Sequence, residues 1–210
     1  MAAQYELLTR PTVLRSSLAT FDSDIRKAAG QKVAFKAIIG RSIIAGEPNK
    51  PELIKRMLAL SAKSGCVVLA ETVHSQGQRL SGLLSFKNLP QDTLSRFAAV
   101  EEKLFSDKND ALVNWDPASL EQECKAAFPC VFTAQAALAS VRRRISADMI
   151  EYWFRPHAAG GRMPLGARLE KEFGAKTAAE IKKQMHAQLD NKDMPWKTAA
   201  ALIRVSAARG

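Results

Sequence analysis

A chain of 210 residues, 47% of them apolar, is long enough to bury a substantial core. Its formal charge of +10 comes from 31 basic and 21 acidic residues, a balance that excludes a wholly disordered chain. No apolar run approaches the roughly 20 residues that cross a bilayer, and the nearest, Val33 to Ala45, is interrupted by Lys36 and Arg41.

The basic excess is unevenly placed. Residues 1–46 hold 7 Lys/Arg against 3 Asp/Glu, residues 155–210 hold 11 against 5, and the middle holds 13 against 13. Positive ends favour anionic partners, whether acidic surfaces of other protein subunits, nucleic acid or anionic lipid. Cys66, Cys124 and Cys130 are odd in number and lie in apolar surroundings, which fits reduced thiols better than a disulfide framework. Residues 7–19 contain Arg and Ser but no acid, as mitochondrial presequences do. An uncleaved import signal, and with it the matrix or the matrix side of the inner membrane, is the expected location; the cytoplasm is the alternative.

Few aromatics and many Ala, Leu and Lys lean the chain towards helix. Leu14, Leu18, Phe21, Ile25 and Ala28 repeat at helical spacing up to Gly30. Lys32 to Ala45 reads as a helix buried on most of its surface. Pro51 opens a helix with Ile54, Met57 and Leu58 inward. Cys66 to Leu84 admits two readings, a helix or a buried strand over CVVLA; the helix is preferred because no neighbouring strand is evident.

Pro90 and Asp116-Pro117 open further helices, with a polar loop over 106–114 between them. Phe132 to Phe154 then reads as the central packing helix, capped by Thr133, with Leu138, Val141, Ile145, Met149 and Tyr152 along one side. Leu165 to Phe173 forms a short helix closed by Gly174, and Thr177 with Glu180 forms a capping box. Pro195 starts a last helix with Trp196, Ala199, Leu202 and Ile203 inward. The expected fold is all-α: an irregular bundle of eight to ten helices. Its body is 1–154, its Gly/Pro/Arg-rich loop 155–166, and its C-terminal helical region 167–210.

Motifs for chemistry are sparse. The cysteines and His74, His157 and His186 show no paired metal-ligand spacing. Gly160-Gly161 lacks the strand and Lys of a phosphate loop. No catalytic residue, metal ligand or cofactor is assigned. The candidate anion- or partner-binding residues are Arg142, Arg143 and Arg144, which would line one helix flank, and Arg155, His157 and Arg162 in the glycine-containing loop. Leu169 to Leu189 faintly suggests a helix-turn-helix reader, but few polar base-reading side chains follow the turn, so a packing hairpin is expected. Trp115, Trp153 and Trp196 are expected as anchors in a core or an interface.

The function expected from these features is a non-catalytic helical subunit of a large assembly, such as an accessory subunit on the matrix side of a respiratory-chain or ATP-synthase type complex. A basic RNA- or DNA-binding protein, a ribosomal component for example, is the alternative, and an enzyme whose site forms only in three dimensions is the third reading.

Overall fold

The structure, a computed structural model, describes residues 13–155 and 163–208. It corrects the all-α expectation, because a four-stranded mixed sheet lies at its centre. In chain order the elements are α1 (Phe21–Ala29), β1 (Phe35–Arg41), α2 (Lys50–Leu58), β2 (Ser61–Thr72), α3 (Thr93–Phe105) and α4 (Pro117–Ala127). They continue with β3 (Cys130–Ile145), α5 (Ala147–Phe154), α6 (Leu165–Phe173), α7 (Ala175–Leu189) and β4 (Lys192–Ala207). The strand order is β1-β2-β4-β3. β1 and β2 run parallel, joined through α2, and β4 runs antiparallel to both β2 and β3.

Helices form where local signals are complete. Asn49 accepts from the Glu52 N–H at the start of α2, with Pro51 in the first turn. At α4, Asp116 accepts from the Ala118 and Ser119 N–H groups while the Ser119 hydroxyl accepts from the Asp116 N–H, a closed capping box. The box expected at Thr177 and Glu180 does not form; α7 starts at Ala175, straight after Gly174 in a positive-φ conformation.

Four expected helices are strands instead. Among them is the start of Cys66 to Leu84, which lies in β2 because β1 and β4 supply the neighbouring strands the sequence did not reveal. Lys32 to Ala45 becomes β1, because its β-branched residues pair with the CVVLA segment of β2: Ile39 lies beside Val68 and Ile38 beside Val67. The central helix becomes β3 followed by α5, with the Ser146 side chain accepting from the Met149 N–H at the new helix start. Its helical repeat was a coincidence of spacing, since Ile145 is buried but Leu138 is 75% exposed. The last helix becomes β4. The Lys197 N–H donates to Gln78, away from β3, so the nitrogen of Pro195, two residues back, points the same way and costs the β3–β4 ladder no bond.

Two cores follow. Ile54, Trp115, Leu120, Leu69 and Ile203 bury one face of the sheet against α2 and α4. Phe97, Ile150, Leu169, Ile181 and Met185 join α3, α5, α6 and α7, with Ile145 at the end of β3 reaching into the same cluster. Buried polar groups act as ties. The Glu71 carboxylate, 2% exposed at the end of β2, accepts from the backbone N–H groups of Ile43 at 2.7 Å, and of Ile44 and Ala45 at 3.3 Å. Ser42, at φ 54, turns the chain so that these three donors converge. Glu101 accepts in the same way from the Leu80 and Ser81 N–H groups. Lys50, also buried, donates to the carbonyls of Glu47 and Ala111, and burial pushes its pKa down.

Replacing Glu71 by Ala strands the Ile43, Ile44 and Ala45 donors at once. Each buried unsatisfied group costs about 1–3 kcal/mol, so chemical denaturation of the variant should show a loss of roughly 3 kcal/mol or more, with α3 and α7 losing stability only through the global transition.

Candidate functional site

β3 breaks up the arginine run. On a strand, successive side chains point to opposite faces, so Arg143 is separated from Arg142 and Arg144. The Arg143 guanidinium lies 5.0 Å from the centre of the Trp196 ring, and Trp196 in turn stacks on Trp153 at 6.3 Å. Arg144 donates through Nε and Nη2 to Asn191 Oδ1 at 2.9 and 2.6 Å. Arg142 stands opposite Pro195 on the same edge strand. The expected helical flank of three arginines is therefore not built. Arg155 follows α5 and is exposed; His157 and Arg162 lie outside the described residues.

Two of the three thiols, Cys124 and Cys130, are poor nucleophiles. Burial pushes Cys124 up to about 12, and raises Cys130 as well, so neither supplies thiolate at neutral pH. Among the described residues no group of three His, Cys, Asp or Glu side chains is placed to hold a metal. Glu151 of α5 does meet two partners on α7, accepting from Lys182 Nζ at 2.8 Å and lying 3.0 Å from His186 Nε2. Beside it, Arg143, Asp148, Met149, Tyr152 and Trp153 line a shallow cavity of about 280 Å³.

The larger unused surface surrounds β1. The alternation of β2 and β4 sends Val67, Leu69, Ile203 and Val205 into the core and turns Val68, Ala70, Leu202 and Arg204 outward. On that outer face Ile39 is 80% exposed, Leu202 52% and Val131 50%. Parallel strands ordinarily have both faces covered; among the described residues no helix covers this one. The outer edge of β1 is likewise unpaired among the described residues. Beside it, a cavity of about 380 Å³ is lined by Leu18, Phe21 and Ile25 from the α1 region, Phe35, Ala37 and Ile38 of β1, and Ile43, Met57 and Leu60. Arg56 straps α1 over this groove, pairing with Asp22 and donating to the carbonyls of Leu18 and Ala19.

Sequence reasoning missed this surface because it read Ile39 and Leu202 as inward positions of helices. The alternation Leu69-Ala70 against Ile203-Leu202 was a signal, visible once β2 and β4 are set side by side.

No protein-family model and no curated protein matches the sequence. Solved structures do show partial likeness. A methyltransferase of undemonstrated activity from Bacillus halodurans matches with a TM-score of 0.38 and 10% identity, over 82% of this chain and 64% of that one. Phosphoethanolamine N-methyltransferase 2 of Haemonchus contortus gives 0.31 and 12%, over 83% and 34%. The [4+2]-cyclase SpnF gives 0.32 and 12%, over 91% and 64%. The chain thus spans less than two thirds of the length of each. The expectation of a non-catalytic helical subunit does not stand. The helical bundle on which it rested is replaced by a four-stranded mixed sheet.

Hydrogen bonds from Lys182 and then His186 hold the Glu151 carboxyl below its ordinary value of 4.5. A lowered carboxyl pKa contributes stability that is complete above the unfolded value and lost as pH falls through the folded one. Glu151→Gln should therefore be less stable than the unaltered chain near neutrality, and the gap should close on acidification below 4.5. Unfolding followed by tryptophan fluorescence across that range measures it.

Proposed function

We propose that this chain is an α/β docking domain that takes a second polypeptide onto the open face of its sheet, with β1 and β4 as the main contact strands. The observation that carries this reading is the bare face of the parallel pair, on which Ile39 is 80% exposed. An apolar face of this kind is retained where a partner covers it. Fully burying an aliphatic side chain contributes about 1.5–3 kcal/mol, so Ile39, Leu202 and Val131 together can anchor a stable contact. The same contact would wall the carboxyl ends of β1 and β2, where Arg41, Ser42 and His74 follow one another around the strand ends. Open α/β sheets hold their ligands at that end.

The test uses the tagged full chain and a double variant, Ile39→Asp with Leu202→Asp. Both positions are exposed, so folding should be little altered. Retention of specific cellular proteins should fall at least tenfold in the double variant and persist in Leu138→Asp, which alters an exposed apolar residue on the opposite face of the β3–β4 ribbon. Equal retention by all three chains would remove the proposal.

A further inference from the structure

We infer that the segment docking on this face is an amphipathic helix whose apolar stripe is flanked by carboxylates about two turns apart; this rests on the docking reading above. Three features of the face select that occupant.

The first is hydrogen bonding. β2 and β4 are each paired on both sides over the open face, so their backbone groups are already used. Over β2 and β4 the face offers side chains only, the open edge of β1 lying at its margin. A segment lying across it must satisfy its own backbone N–H and C=O groups, which a helix does internally and an isolated extended segment does not. The second is relief. Ala70, Ala137 and Ala200 keep the face low around Leu202 and Val68, so a helix can approach closely along it.

The third is charge. Arg41 and Arg204 both stand exposed on this face, and neither makes an ion pair or side-chain hydrogen bond with a described residue. The strand residues that share the face include no Asp or Glu. The missing carboxylates must come with the occupant. Arg41 stands level with Leu202, two strands away, and Arg204 is two residues further along β4. At about 4.8 Å between strands and 3.3 Å per residue, the two guanidinium-bearing positions lie roughly 12 Å apart. Eight residues of helix rise about 12 Å, which sets the spacing of the acids. A second copy of the chain presenting the same face would set arginine against arginine, and is disfavoured for that reason.

Two synthetic 21-residue helical peptides serve as probes. Both carry one Leu stripe on an Ala background, one with Glu at flanking positions eight apart and the other with Lys there. Fluorescence anisotropy with the full chain should give at least tenfold tighter binding of the Glu peptide, weakening as salt is added. Arg41→Glu with Arg204→Glu should reverse the preference, and Ile39→Asp should abolish binding of both. Equal affinity for the two peptides, no binding of either, or vesicles of anionic lipid binding as tightly as the Glu peptide would each overturn the inference. If Ile39→Asp also lowers the retention of cellular partners while the double Arg variant does not, the docking function stands and only the acidic helix is lost. If Ile39→Asp leaves that retention unchanged, the docking function itself fails.

Discussion

A carboxylate buried with no ion pair among the described residues has to be held by hydrogen-bond donors, and Glu71 meets this requirement with three consecutive backbone N–H groups. The arrangement fixes more than one side chain. It locks the turn after β1 to the end of β2, which keeps the two strands parallel and sends the chain into α2 on one face of the sheet. With α2 and α4 both committed to that face, the other is left without a helix among the described residues. The internal carboxylate also fills the kind of converging N–H cradle that elsewhere receives an anionic ligand. Glu71 therefore closes one possible binding place while leaving the sheet face open.

The two cores divide the labour. Around the sheet, aliphatic side chains on β2 and β4 pack against α2, α4 and Trp115. Beyond the end of β2, the β3–β4 ribbon continues into the second core, where Ile145, Trp196 and Trp153 connect it to α5, α6 and α7. Ion pairs such as Arg79 with Glu102 and Arg96 with Glu172 tie surface elements together, but exposed pairs contribute at most about 1 kcal/mol each. Apolar burial and the two carboxylate ties hold the fold. The open face takes no part in that stabilisation, so it is free to serve binding.

Helices bounded by strong local chemistry were legible in the sequence. Pro51, Asp116-Pro117 and Gly174 each mark a real boundary. The strands were not, because their residues gave two readings. Ala134, Ala136, Ala137 and Ala139 favour helix locally, yet in β3 they form a ladder with β4 through backbone bonds that no local signal specifies. Pro195 looks like a helix start, but its nitrogen sits on the side of β4 where no ladder bond is needed. The arginine run misled in the same way: neighbours in sequence become residents of opposite faces once the backbone is extended. The open face was illegible for a further reason. An apolar residue such as Ile39 looks the same in sequence whether its own chain buries it or leaves it for another.

The most direct test of the account is carbene footprinting of Ile39 and Leu202, first on the purified full chain and then on the chain held in its cellular complex. The account predicts strong labelling of both residues in the purified chain and at least tenfold protection in the complex, with Leu138 labelled in both. Equal labelling of Ile39 and Leu202 in the two samples, or protection already present in the purified chain, would contradict it.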